Sequence, residues 1–391
     1  MTNESFKPVP HPLPARTSEA ALYDVAKDLP GTRILSTSMG RGQAARWLYR
    51  DRSDASVSLW YLDQFQQRLA MADHDADIKA LPEPALAEPA LAKNPLAKSR
   101  SPENRLPENP VPDPHHSLSI VCDTDLPEGE VDLALIPCSV RGEAELQRDL
   151  MQQAYSRLVI GGRLVTSVDN VNDRWLHDQL KVFGVKVSVR HFDDAVVYVV
   201  RKEQALKRQR SFESEFTFRF RGQTIAAITR PGVFSHRRLD AGAKALMDAV
   251  TIESGQRLIE IGCGCGSVTM ALAMQTGGIH ALAIDSNARA IECTRRGAKK
   301  NGLVDIDAQL TCEGDCDSPA SYDVAVGNPP YFANFQIARL FVDAAMRALR
   351  PSGRLYIVTK QPEWYEENLV TEWHDIRVIA GKQYAVVEAW K

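Results

Sequence analysis

Short runs of apolar residues alternate along this chain with longer stretches of helical character, and that alternation predicts βα units around a parallel sheet. The pattern occurs twice. Residues 131–135 read Val-Asp-Leu-Ala-Leu and residues 322–326 read Tyr-Asp-Val-Ala-Val, and each run leads into a helical stretch and a Gly-Arg-Leu turn. The interval from Asp132 to Gly162 equals that from Asp323 to Gly353, 30 residues in both, which marks an internal repeat. Ala195 to Val200 closes the first copy as Ala385 to Trp390 closes the second, with turns near Asp193-Asp194 and Gly381-Lys382. Each copy is therefore expected to end in an antiparallel hairpin.

Length agrees with a doubled α/β chain, since 391 residues suffice for about two domains that each bury a core. The predicted divisions are 1–200, 201–240 and 241–391. Within the first lies a Pro- and Ala-rich imperfect repeat at about 80–114, which cannot continue a helix or a sheet and reads as a surface insertion. The net charge of −3 rules out a uniformly basic nucleic-acid coat but leaves room for a local patch. No apolar run of about 18 residues occurs, and the amino terminus lacks a signal-peptide pattern. A soluble, cytoplasmic, monomeric protein with no membrane partner is expected. Seven scattered cysteines without CxxC spacing point to reduced thiols and to no metal site.

Candidate chemistry gathers in the second copy. Arg257 to Ile261 reads as a buried strand, followed by Gly262-Cys263-Gly264-Cys265-Gly266 and a helical run from Ser267 to Gln275. Glycines allow a sharp turn and close ligand approach, and the helix amino terminus offers free N–H groups. Glu260 stands just before this GxGxG loop. Asp285 ends the next strand, 25 residues after Glu260, where a carboxylate suits two ribose hydroxyls; its alternative is a helix N-cap. Asp315 follows where a third strand should end and could accept from an adenine amino group, or could be a turn residue. The strand from Asp323 then runs into Asn328-Pro329-Pro330-Tyr331 at its carboxyl end, where open α/β sheets bind ligands. Two prolines fix the backbone, so the Asn328 amide and the Pro329 carbonyl become rigid acceptors for an exocyclic NH2, and Tyr331 offers a stacking face.

Glu260 with the glycine loop, Asp285, Asp315 and Asn328-Pro-Pro-Tyr331, in this order, resemble a class I S-adenosylmethionine-dependent N-methyltransferase. The resemblance implies two tandem Rossmann-like class I methyltransferase domains, each a mostly parallel sheet with an antiparallel carboxyl-terminal hairpin. It also implies that Glu260, Gly262, Gly264 and Gly266 lie by the methionine moiety of S-adenosylmethionine, Asp285 by the ribose and Asp315 by the adenine, with Asn328, Pro329, Pro330 and Tyr331 gripping the target amine. With Arg230-Pro-Gly-Val-Phe-Ser235 and Leu239-Asp240-x-Gly242 added, the chain is similar to bacterial ribosomal RNA guanine-N2 methyltransferases of the small-subunit methyltransferase C type and their large-subunit relatives. That similarity implies methylation of a guanine N2 in ribosomal RNA, 16S rather than 23S, with the RNA or a ribosomal subunit as partner.

In that family the first domain is a degenerate copy. Here Ser36 stands where Glu260 does and Ser38 where Gly262 does, while Pro137 and Cys138 replace Asn328 and Pro329. Asp63 still resembles Asp285, leaving weak cofactor binding open, but the expected role is structural and RNA-positioning. Residues 201–240 carry ten basic and four acidic side chains, a local charge of +6. Phe216, Phe218 and Phe220 alternate with Thr217, Arg219 and Arg221, so a strand would bury the rings and face its arginines outward. Arg219, Arg221, Arg237 and Arg238 are thus candidate RNA contacts beside the active site, or simply solvated surface. Competing readings are an Asn-Pro-Pro-Tyr methyltransferase acting on protein glutamine or adenine N6, and a nonenzymatic RNA-binding assembly factor. A nicotinamide dehydrogenase is disfavoured because the loop lacks GxGxxG spacing.

Overall fold

A computed structural model describes residues 15–79, 116–330 and 335–391. The Pro-rich segment expected at about 80–114 and Tyr331 lie outside the described residues. The first half builds strands β1 (Arg33–Thr37), β2 (Ser56–Tyr61), β3 (Ser117–Cys122), β4 (Val131–Cys138), β5 (Leu158–Val168), β6 (Val187–His191) and β7 (Val196–Arg201). A hairpin of β8 (Ser214–Phe220) and β9 (Gln223–Thr229) follows. The second half builds β10 (Arg257–Ile261), β11 (His280–Asp285), β12 (Ile306–Leu310), β13 (Tyr322–Gly327), β14 (Leu349–Thr359), β15 (His374–Ala380) and β16 (Ala385–Trp390).

The two large sheets have one topology. Their orders are β3-β2-β1-β4-β5-β7-β6 and β12-β11-β10-β13-β14-β16-β15. The first five strands of each are parallel, and the last two form the expected antiparallel pair. Register repeats as well, because Ser36 sits beside Leu135 as Glu260 sits beside Val326. The aspartate seen in both apolar runs makes the same bond in each half. Asp132 accepts the Arg33 backbone N–H at 3.0 Å, and Asp323 accepts that of Arg257 at 2.7 Å. Each carboxylate thereby satisfies the first donor of its sheet's central strand.

The β8-β9 hairpin belongs with the second half. Phe220 is buried and Phe216 and Phe218 are half-buried against a core containing Leu246, Met247 and Val268, while Glu215, Thr217 and Arg219 face outward. The alternation of phenylalanine with polar residues dictates that division.

The halves meet through the segments that leave their second strands. The Gln64 backbone N–H donates to the Ser286 carbonyl at 2.8 Å, and that of Ala288 to the Leu62 carbonyl at 2.9 Å. The Ser286 hydroxyl donates to Asp63 at 2.6 Å. Beneath this bridge lies Arg289, fully buried, donating to the carbonyls of Thr124 and Pro231 at 2.6 and 2.8 Å and paired with Asp149 at 2.7 Å and Asp125 at 3.3 Å. A guanidinium this deep is tolerated because its donors meet two carboxylates and two carbonyls. Among the described residues no helix is long and apolar enough to cross a membrane.

Arg289→Met should cost about 3 kcal/mol or more, because it strands Asp149 in the interface without its cation. Urea denaturation of the full chain measures this, and a loss below about 1 kcal/mol would show that the pair adds little.

Candidate active site

The glycine loop leaves β10 and enters the helix Ser267–Thr276, and its three glycines have positive φ for different reasons. A Cβ at Gly262 would lie 2.5 Å from the Phe341 ring, and one at Gly266 would lie 2.7 Å from Thr294. These two are demanded by packing. At Gly264 φ is +54°, and a Cβ would meet only the Phe234 carbonyl at 4.0 Å. Gly264 is thus the position where the loop backbone faces open space. Phe341 also underlies Gly327, whose Cβ would lie 2.8 Å from the ring, so one side chain sets the floor beneath both the glycine loop and the end of β13.

Two carboxylates flank the loop, Glu260 buried and Asp285 half-buried. Asp285 Oδ2 accepts the Gly264 N–H at 2.9 Å, and Oδ1 accepts that of Asn287 at 2.9 Å. Burial pushes its carboxyl up to about 6 against the pull of those bonds. The N-cap alternative for Asp285 fails, because Asn287 itself caps the following helix by accepting from Ala290 at 3.1 Å. Glu260 Oε2 accepts the Thr269 hydroxyl at 2.5 Å and its backbone N–H at 2.9 Å, and burial pushes this carboxyl up to about 7. The helix amino terminus at Ser267 has no side-chain cap.

Asn328 follows β13 directly, with Pro329 buried and Pro330 half-buried behind it. Its Nδ2 donates to Asp240 Oδ2 at 3.0 Å. The same oxygen accepts the Ala243 N–H at 3.0 Å and so caps the helix Ala241–Ala249. An ionised carboxylate only accepts, so the amide NH2 must face Asp240 and Oδ1 must face away. Gly242 permits the fit, since a Cβ there would lie 3.2 Å from Asn328 Oδ1 and 2.8 Å from Asp240 Oδ2. The Leu239-Asp240-x-Gly242 motif gives Asp240 no role by itself, although an acid one residue before a helix is a visible cap signal.

Other expectations require correction. β12 ends at Leu310, so Asp315 is not at a strand tip; it lies on an exposed loop and pairs with Arg347 at 3.3 Å. Arg221 is not beside the site. Arg221 sits in the hairpin turn over the Phe220 ring and reaches the Asp248 carbonyl, in the last turn of the helix whose first turn holds Asp240. At 1.5 Å per residue that helix separates them by about 12 Å. Arg237 is bound to Glu145 of the first half at 2.9 and 3.2 Å, and all four candidate arginines are exposed.

The matching loop in the first half is tied to its own side chains. Ser38 Oγ accepts the N–H groups of Gly40 and Gly42, both at 2.9 Å, and Glu19 accepts from Ser38 and from the Met39 N–H. Donors that could meet a ligand are used internally. Asp63, the counterpart of Asp285, spends its oxygens on Ser286 and the Gln66 N–H.

Residues 224–388 match the family model described as the methyltransferase small domain. Among curated relatives, the ribosomal RNA small subunit methyltransferase C of Chromohalobacter salexigens is 32% identical over 161 residues, covering 38% of this chain and 47% of that protein. Its counterpart in Acinetobacter baumannii is 30% identical over 169 residues, covering 41% and 50%. The chain thus spans about half the length of these relatives. The uncharacterized protein YbxB of Bacillus subtilis is 26% identical over 190 residues, 46% of this chain and 94% of that one. In fold, the T. thermophilus 16S rRNA N2 G1207 methyltransferase, solved with AdoMet and guanosine, superposes with a TM-score of 0.70 over 95% of this chain and 92% of that chain, at 18% identity.

Gly262→Ala should destabilise the fold by more than the ~1 kcal/mol of left-handed strain that Gly264→Ala costs, because it also drives a Cβ into Phe341. Thermal melting of both variants decides this; equal shifts would mean that the ring moves aside.

Proposed function

We propose that this protein transfers a methyl group from S-adenosylmethionine to the exocyclic N2 of a guanine in 16S ribosomal RNA. The observation that carries the reading is the Asn328 amide, held by Asp240 through its nitrogen at the carboxyl end of β13, beside a glycine loop that opens at Gly264. The residues fit the cofactor. Gly264 leaves room for close approach, the helix that starts at Ser267 turns its amino terminus to the loop, and Asp285 is a half-buried acceptor that two ribose hydroxyls would meet. S-adenosylmethionine supplies an electrophilic methyl group. Asn328 Oδ1 and the Pro329 carbonyl accept the two N–H bonds of the target amine, which turns its lone pair toward the methyl and disperses charge developing on nitrogen. Tyr331 stacks on the base. Glu260 holds the loop through Thr269, and Asp315 is the remaining candidate for the adenine. Support for an RNA substrate comes from the methyltransferase C relatives, the guanosine-bound fold neighbour and the exposed Arg219 and Arg238.

Labelled S-adenosylmethionine incubated with unmodified 16S rRNA, 30S and 50S subunits and a protein extract tests the reading. Label recovered as N2-methylguanosine from 16S rRNA or 30S subunits is expected; label in N6-methyladenosine or in protein would replace the substrate. Asn328→Ala should abolish transfer while calorimetric cofactor binding persists, and strong residual transfer would remove the amine-gripping role.

The pH dependence has a definite sign. Hydroxyl donors favour the ionised carboxylate, so they pull the Asp285 pKa down from about 6 and binding releases a proton. Cofactor affinity should therefore strengthen as pH rises through 6, by up to about tenfold per unit below that value, and level off above. Calorimetry between about pH 5 and 8 measures it, and flat affinity in that range would remove Asp285 from the ribose.

A further inference from the structure

The segment Arg230–Asp240, between β9 and the helix Ala241–Ala249, is the most constrained loop beside the site. Ser235 and Arg237 both have left-handed backbones, at φ 56° and 73°, and neither is glycine. Each such residue costs about 1 kcal/mol, so the loop needs outside contacts to keep this shape. Those contacts come from the first half. Glu143 accepts the Gly232 N–H at 2.8 Å. Glu145, in the first turn of the helix Ala144–Arg157, binds Arg237 at 2.9 Å and faces His236 Nε2 at 3.1 Å. Asp125 pairs with Arg230 at 2.5 Å. Leu62 and Leu146 fill the place of a Cβ at Gly232, at 2.4 and 3.4 Å, where φ is +89°. The loop then passes its exposed Phe234 and the carbonyl over Gly264, and ends at Asp240, which holds Asn328.

We infer that the first half is a clamp on this loop: Glu143 and Glu145 are positioning residues that hold Arg230–Asp240 where Asp240 turns Asn328 toward the target amine. The inference rests on the amine-gripping role of Asn328. It assigns the degenerate copy a duty in the chemical step. Loss of the clamp lets Asp240 and Asn328 drift, and drift of about 1 Å in a reacting geometry is worth up to about a hundredfold in rate. The bonds of Glu143 and Glu145 go to Gly232, His236, Arg237 and Arg210 and not to Gly264 or Asp285, so removing these two carboxylates should leave cofactor affinity in place.

The test compares full-length Glu143→Ala/Glu145→Ala, Glu145→Gln, Glu143→Gln, Asn328→Ala and Arg68→Ala in single-turnover and steady-state methyl transfer to unmodified 16S rRNA or 30S subunits, with calorimetric S-adenosylmethionine affinity as the check on folding. The double variant should lose about tenfold or more in kcat with cofactor affinity within about twofold of the parent. Glu143→Gln, which still accepts from Gly232, should stay near the parent. Arg68→Ala removes an exposed interdomain pair with Glu313 that does not touch the loop, and should leave kcat unchanged. A rise in KM for RNA with unchanged kcat would overturn the clamp in favour of simple RNA docking by the first half. If the double variant fails to bind cofactor, Glu145→Gln decides, and parental kcat in it overturns the proposal. Parental activity in Asn328→Ala would sink the underlying role of Asn328 instead, while a dead Asn328→Ala beside a fully active double variant would sink the clamp alone.

Discussion

One carboxylate oxygen, Oδ2 of Asp240, receives both the Ala243 N–H that starts a helix and the Asn328 amide that ends β13. Because a carboxylate accepts and never donates, this junction admits a single orientation of the amide. The direction of Asn328 Oδ1 follows from it, and the proposed grip on a substrate amine rests on that direction. The rest of the site is arranged around this point: Gly242 stays small to admit the amide, and Phe341 sets the floor shared by β13 and the glycine loop.

The duplication has separated two duties that began on one scaffold. Both sheets keep the same strand order and the same aspartate at the start of the central strand. In the second half a Cβ at Gly264 would meet only the Phe234 carbonyl, and the half-buried Asp285 holds the Gly264 N–H beside that space. In the first half Ser38 and Glu19 close the corresponding loop upon itself, and Asp63 turns to the interface. A polar group that no longer meets a ligand must find another partner or bear the cost of burial, and docking the two halves provides that partner.

Charge is divided in a similar way. The basic excess of residues 201–240 looks like a single patch in sequence, yet Arg230 and Arg237 are occupied by Asp125 and Glu145 of the first half. These pairs join the halves. Arg201, Lys207, Arg208, Arg210, Arg219, Arg221 and Arg238 are exposed, so most of the basic excess of this segment still faces solvent.

The sequence by itself determined the doubled α/β pattern, the two terminal hairpins, the phenylalanine-lined strand β8, the glycine loop after β10 and the Asn-Pro-Pro turn after β13. Each is written in local spacing: a period of two for a strand, a repeated interval of 30 residues, a glycine where φ is positive. Tertiary structure alone decided that Asp240 meets Asn328, 88 positions away, that Asp63 faces Ser286 rather than a ligand, and that Arg237 turns to Glu145. It also decided that Gly262 and Gly266 are glycine for the sake of Phe341 and Thr294, whereas Gly264 alone looks into open space. The physical reason is that these partners are set by how whole helices and sheets pack, and a polar side chain carries no periodic mark of the distant group it will satisfy.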